Sequence, residues 1–368
     1  MKNLVLCCDG TANEFAADRT NVIKLCYTLV QAAGQQQVYY HPGLGTIEPA
    51  GALTPLSRRA TRLLGQAIGA GLGDDVRDAY VFLMRHFDPG DRVFLFGFSR
   101  GAYTVRALAS LLHMYGLISA GNEPLVPYAI RMLTAIQKLD ARGDSEGKQH
   151  YFRLAEEFKD TFCRTVCKPW FVGVWDTVSS VGWIENQLRL PFVADNPDIA
   201  IGRHALALDE RRAFFRTNLW RPRSESADSG PKDLKQVWFA GVHCDVGGGY
   251  REAESGASKI PLQWMIREAM DKHLLVDPAR LALVLGGSGA GYVAPDVDGP
   301  LHESLSPSWW PAELIPKRHF NAQTKLWERR ANMGRRRTMP KAPMVHESVF
   351  RRAGDYKSRL PPDAVSVS

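Results

Sequence analysis

Asp91–Leu108 reads DRVFLFGFSRGAYTVRAL. An apolar run enters Gly97-Phe98-Ser99-Arg100-Gly101, and helix-forming residues follow. This is the G-x-S-x-G pattern in a strand–turn–helix setting, where it can hold a nucleophilic serine on a tight turn. Such a turn needs small residues two before and two after the serine, because the strand and helix approach closely there. Gly97 and Gly101 occupy those positions. A helix starting after Ser99 aims its positive end and the backbone N–H of Arg100 at a developing oxyanion.

A serine hydroxyl is a weak nucleophile until a base takes its proton, and the base needs an acid to orient it. Two later segments carry suitable groups at the ends of apolar runs. FVGVWDTV places Asp176, and QVWFAGVHCDVGGGY places His243 and Asp245. The chain order Ser99, Asp176, His243 is that of nucleophile, acid and histidine in α/β-hydrolases. Asp245 is an alternative acid, or a turn former ahead of Gly247-Gly248-Gly249. His346, in VHESV, is the alternative base because it lies late in the chain. An oxyanion hole needs a second N–H from a neighbouring strand's loop. Gly10 or Thr11, in CDGTAN after the first apolar run, can supply it. Asp9 can satisfy amides of that loop or orient Arg100. A different chemistry is also open: Asp9, Asp176, His243 and Asp245 all stand at strand ends, and carboxylates with imidazole can bind a divalent ion in a metal-dependent hydrolase. That reading leaves the serine elbow without a purpose. A third class is a non-catalytic binding module that keeps only the fold. The serine route needs no metal and no cofactor.

The elements that must carry these groups alternate. Leu4–Cys8, Val38–Tyr40, Val93–Phe96, Trp170–Trp175 and Val237–Val242 read as short strands, several of them continuously apolar. Such runs suit parallel strands covered on both faces. Thr20–Ala33 and Asp74–Phe87 have helical spacing. The fold expected is α/β and α/β-hydrolase-like, a mostly parallel sheet with helices on both faces, spanning 1–368 as one domain. Leu117–Lys168 reads as a polar helical insertion or cap without strands, and Arg221–Pro231 as a mobile surface loop. Pro361–Ser368 reads as a frayed end.

CDGTAN, HPGLGT, GLGDDVRDAYVFLMRHF, FGFSRGAYTVRALA, VGVWDTV, WFAGVHCDVGGGY and the late GRRR and VHESV together resemble one family. It is the α/β-hydrolase family, once catalogued as a domain of unknown function, that contains the catalytic domains of type VI secretion phospholipase effectors. The resemblance is dense over residues 1–250 and thinner over 330–350. It implies a Ser/Asp/His lipolytic hydrolase acting on phospholipid or a related ester, with Ser99, Asp176 and His243 matching the triad motifs. It also implies a secretion-system carrier or an immunity protein as partner. Cys244 and His41 depart from the family pattern, where a small hydroxyl and an acidic residue are usual.

The chain has 368 residues, 45% of them hydrophobic and 23% charged, which excludes wholesale disorder. No apolar run approaches the roughly 18 residues that would span a bilayer. The apolar start is shorter than the core of a signal peptide, so the expectation is cytoplasmic synthesis, with export by a route that needs no signal peptide. Six cysteines lack framework density or zinc spacing and read as free thiols. The net charge of +7 is confined to residues 300–368, which hold 13 Lys/Arg against 6 Asp/Glu, while the rest holds 33 of each. No nucleic-acid reading motif accompanies this segment. Beside Trp309 and Trp310, a basic segment suits an anionic membrane surface. Salt bridging and edge packing account for the same residues equally well.

Overall fold

A computed structural model describes residues 1–10, 19–43, 71–178, 182–183, 186–187, 190–213, 215–221, 230–287, 291–314, 316–320 and 327–368. Eight strands form one sheet: β1 (Asn3–Cys8), β2 (Gln36–His41), β3 (Arg92–Phe98), β4 (Pro169–Trp175), β5 (Ile201–Ala207), β6 (Asp233–Phe239), β7 (Met344–His346) and β8 (Val365–Val367). The spatial order is β8-β7-β6-β5-β4-β3-β1-β2, and every neighbouring pair is parallel. The expected α/β class is the observed one.

The side chains of β1 and β3 alternate between two cores, as the period of two requires. Leu4, Leu6, Cys8, Val93 and Leu95 face one core. Helices α2 (Leu72–His86), α3 (Arg100–Tyr115), α4 (Val126–Arg142) and α5 (Ser145–Phe162) cover it. Val5, Cys7, Phe94 and Phe96 face the other. There α1 (Asn21–Thr28), the short α6 (His243–Gly247), α7 (Gly256–Met270) and α8 (Pro278–Val284) pack. A third cluster, Leu206, Trp238, Val345, Val349 and Tyr356, joins the β5–β7 end of the sheet to the C-terminal segment.

Three readings of the sequence need correction. The segment expected to be strand-free between 117 and 168 contains a small antiparallel pair, Leu117–Ile118 with Cys163–Thr165, and its helices α4 and α5 pack on α2 and α3. Val365–Val367 is an edge strand paired with β7, where a frayed end was expected. β5 was not anticipated. Its Arg203 and His204 interrupt the apolar run that marks a buried strand, yet both are buried. Arg203 is neutralised by Asp233 at 2.9 Å and Glu268 at 2.5 Å. All six cysteines are free thiols. Among the described residues no helix is long and apolar enough to cross a membrane. Most of the Arg221–Pro231 loop, residues 222–229, lies outside the described residues.

The strand order reverses beside β1: the chain steps from β1 out to β2, then returns to place β3 on the other side. In parallel α/β sheets the crevice at the carboxyl ends of such a switch point is where ligands collect. Ser99 follows β3 there, and Asp9-Gly10 follows β1.

Candidate active site

The turn between β3 and α3 is as tight as its sequence requires. Ser99 has φ 58° and ψ −117°, a conformation that a side chain disfavours. A Cβ on Gly97 would lie 2.5 Å from the Gly101 carbonyl oxygen, and one on Gly101 would lie 2.2 Å from that of Cys8 and 2.4 Å from that of Asp9. These neighbours are backbone and cannot rotate away. Gly101→Ala is therefore expected to cost about 3 kcal/mol or more, the upper range for overpacking. Gly73→Ala in α2 meets only a methyl at 3.7 Å and should gain up to about 1 kcal/mol of helix propensity. Urea denaturation of the two variants checks the contrast, and equal midpoints would show that the elbow tolerates a methyl group.

Ser99 and Asp176 sit on adjacent strand ends, tied by a hydrogen bond from the Ser99 N–H to the Trp175 carbonyl at 3.1 Å. Asp176 also has a positive φ, 38°. Its backbone N–H donates to the Ala205 carbonyl at 2.7 Å, and its Oδ1 accepts the Ala207 N–H at 3.0 Å. His243 opens α6, and its Nδ1 stands 2.5 Å from Asp176 Oδ2. An ionised carboxylate only accepts, so the shared proton sits on His243 Nδ1. The ring is held between Phe98, 4.6 Å between centroids, and Phe215, at 4.8 Å. A Cβ on Gly247 would overlap the Phe98 ring, which brings α6 against the residue preceding Ser99.

Burial by itself would push the Asp176 carboxyl up. The Arg337 guanidinium and the His243 imidazole more than offset it, holding Asp176 well below the usual carboxylate range. Burial depresses His243, and Asp176 opposes that only in part, so the imidazole stays below its ordinary value and is neutral at pH 7.

At the first strand end the loop amide and carboxylate meet each other. The Gly10 N–H donates to Asp9 Oδ1 at 2.7 Å, so in this conformation it is turned toward the carboxylate and not presented as an oxyanion donor. Thr11 lies outside the described residues. Asp9 is engaged by neighbouring hydroxyls. Its Oδ2 accepts from Thr20 Oγ1 at 2.6 Å and Tyr40 Oη at 3.2 Å, which ties β1 to α1 and β2. Asp75 faces the Arg100 guanidinium electrostatically: burial lowers Arg100 to about 10 and raises Asp75 to about 7, and each charge opposes the other's shift. The Arg100 backbone N–H lies in the first turn of α3, the end that carries the helix's partial positive charge.

The two alternates have other engagements. Asp245 accepts the Val242 N–H at 2.9 Å and pairs with His302 Nδ1 at 2.6 Å, and His302 stacks on Tyr250 with centroids 3.6 Å apart. His346 caps the next helix, its Nδ1 2.8 Å from Ser348 Oγ, with its ring on Phe239. Burial takes its pKa down to about 4. The carboxylates meet different partners: Asp9 meets Thr20 and Tyr40, Asp176 with His243 meets Arg337, and Asp245 meets His302. Among the described residues no three His, Cys, Asp or Glu side chains are grouped to hold a metal ion.

Several site residues gave no local signal in the sequence. Buried Glu210 accepts the His243 N–H at 3.2 Å and Ser304 Oγ at 3.0 Å. Burial would raise its pKa, but Arg212, 2.9 Å away, brings it down to about 2. Phe215 adds a wall for His243. Arg337 reaches Asp176 from 161 residues away; the GRRR run marks it only as part of a basic cluster.

An uncharacterized protein of Saccharomyces cerevisiae, YEL023C, is 36% identical to this chain over 229 residues, which are 60% of this chain and 33% of that protein. The chain therefore spans about a third of the length of the curated relative it matches. A crystal structure of an uncharacterized protein from Pseudomonas aeruginosa is similar over 80% of this chain and 49% of that one, with TM-score 0.46 and 18% identity. The structure of the Tle1 effector bound to the VgrG spike of the type 6 secretion system is similar over 69% and 52%, with TM-score 0.34 and 17% identity. Residues 2–268, well over half of the chain, match the family of type VI secretion phospholipase effectors, Tle1-like, catalytic domain, and the chain belongs to that family.

Proposed function

We propose that this protein hydrolyses carboxylic esters of phospholipids or related lipids through Ser99, His243 and Asp176. The observation that carries the reading is the buried 2.5 Å Asp176–His243 contact, set beside a serine whose backbone is strained into a nucleophile turn. Asp176 fixes the imidazole with Nδ1 protonated, which leaves Nε2 as the base. Nε2 takes the Ser99 hydroxyl proton as Oγ attacks the ester carbonyl, and the Arg100 N–H stabilises the oxyanion. The imidazolium returns its proton to the departing alcohol, leaving an acyl-enzyme. Water, deprotonated by the same imidazole, then releases the fatty acid.

The basic C-terminal segment and the exposed Trp310 and Leu314 support an anionic membrane surface as the place of action. Trp309 packs on Phe215, 5.7 Å between centroids. Family membership supports export by a route without a signal peptide. It also supports a secretion-system carrier and an immunity protein as partners; the Tle1 effector is seen bound to the VgrG spike.

Mass spectrometry of lipids after incubation with mixed phospholipid vesicles should show free fatty acid and lysophospholipid, with and without a chelator. Unchanged lipids and an unhydrolysed short-chain soluble ester would leave only the non-catalytic reading standing. Loss of turnover with chelator would favour the metal-dependent one. Because His243 must be neutral to act and its pKa is held below 6.5, kcat/KM on the soluble ester should fall with acid through a midpoint below pH 6.5. A midpoint above 7 would contradict the assignment of the base.

A further inference from the structure

The matched family region ends at residue 268, yet the carboxylate beside His243 is held from beyond it. Arg337 Nη1 donates to Asp176 Oδ1 at 2.5 Å and Nη2 to Oδ2 at 3.0 Å, a two-pronged contact with a side chain that is almost wholly buried. The rest of the fork is also fixed. Nε and Nη2 donate to the Phe215 carbonyl at 2.9 and 2.5 Å, and Nη1 to that of Ala207 at 3.2 Å. The chain leading to Arg337 is anchored as well. Asn332 Nδ2 donates to Glu313 and to the Arg211 carbonyl, both at 2.6 Å. The Gly334 N–H donates to Glu313 at 3.1 Å, and Arg211 Nε to the Gly334 carbonyl at 2.7 Å. A rigid, doubly hydrogen-bonded guanidinium sets the plane of a carboxylate as a flexible ammonium cannot. It touches both supports of the imidazole: Asp176, which holds Nδ1, and Phe215, whose ring meets it in an edge contact.

We propose that Arg337 is a positioning residue for the reaction assigned above, so that the C-terminal segment completes the active site by orienting Asp176 and balancing its buried charge. The proposal rests on the Ser99–Asp176–His243 reading for its kinetic consequences. Among the described residues the charges facing His243 are Asp176 at the end of β4, Glu210 and Arg212 in the loop after β5, and Arg337 behind Asp176. With Arg337 gone and the other three in place, Asp176 is left with an uncompensated charge whose remaining cationic partner is a protonated His243. The imidazole is then drawn toward its charged form, which cannot act as base.

The test compares Arg337→Met, Arg337→Lys and Arg337→Ala with the wild-type full chain. In Arg337→Met the acid midpoint of kcat/KM should rise by about one pH unit, the lower end of the effect of one nearby charge. Its kcat should fall about 10- to 100-fold through misplacement of the base, with KM for a soluble ester little changed. Arg337→Lys should keep the wild-type midpoint but not the wild-type kcat. Millimolar guanidinium should restore turnover to Arg337→Ala saturably. Titration of the His243 imidazole by NMR reads the same shift without turnover, so it still tests Arg337 if wild-type Ser99 proves inert and the assigned reaction fails. If Arg337→Met does not fold, the Arg337→Lys comparison decides. The proposal is overturned if folded Arg337→Met keeps the wild-type midpoint and His243 titration, or if Arg337→Lys keeps full kcat.

Discussion

Ser99→Ala is expected to lower kcat for ester hydrolysis by at least about 10,000-fold while leaving the protein folded. Removing a triad nucleophile eliminates the covalent route, and what survives is the modest contribution of binding and the oxyanion donors. The change removes one oxygen from a half-buried side chain and no hydrogen bond on which the elbow depends: the turn is fixed by the Ser99 N–H on Trp175 and by the contacts of Gly97 and Gly101. Alanine must still adopt φ 58°, the strain that serine already bears. Thermal unfolding should therefore shift little. Initial rates on a short-chain ester, beside a melting curve, test both halves, and residual activity within tenfold of wild type would remove Ser99 from the chemistry.

Asp176→Asn should be costly in two ways. The amide presents an N–H₂ where a carboxylate oxygen now faces His243 Nδ1, or turns it toward Arg337. Either choice breaks a contact and disfavours the tautomer that leaves Nε2 basic. A loss of about 10,000-fold in kcat is the expected scale for that error. Unlike Ser99→Ala, this change also reaches stability. It removes the counter-charge of a buried guanidinium, and breaking a buried ion pair from one side costs about 3–5 kcal/mol. The denaturation midpoint should drop, and the double variant Asp176→Asn/Arg337→Met should recover part of that drop but none of the activity. Additive stability losses in the double variant would show that the two side chains do not work as a pair.

The elements that read clearly from the sequence are those whose local pattern and tertiary role coincide. β3, continuously apolar and followed by G-x-S-x-G, is buried on both faces and ends in a strained serine. β4 and β6 likewise carry Asp176 and, after a short turn, His243 to the same edge. β5 was hidden because Arg203 is buried by virtue of partners 30 and 65 residues away, which no window on the strand displays. β8 was hidden because three residues have no period to read, and its pairing with β7 makes it a strand. The Gly10 amide shows what a sequence window omits: the neighbouring Asp9 carboxylate is an acceptor one residue away and takes its N–H in this conformation. Asp245 and His346 each looked catalytic by residue type and place at a strand end. Only the folded chain shows that His302 and Ser348 occupy them. Arg337 illustrates the remaining limit. Three consecutive arginines look interchangeable, yet Arg335 and Arg336 are exposed while the third turns inward to the carboxylate beside His243.

The central claim, that Ser99 is an activated nucleophile, is tested most directly by covalent labelling. After the folded protein reacts with a fluorophosphonate, peptide mass spectrometry should find one adduct, on Ser99, absent from Ser99→Ala and slowed in Asp176→Asn. A lipid-hydrolysing preparation that carries no adduct on Ser99, or carries it on another residue, would contradict the account.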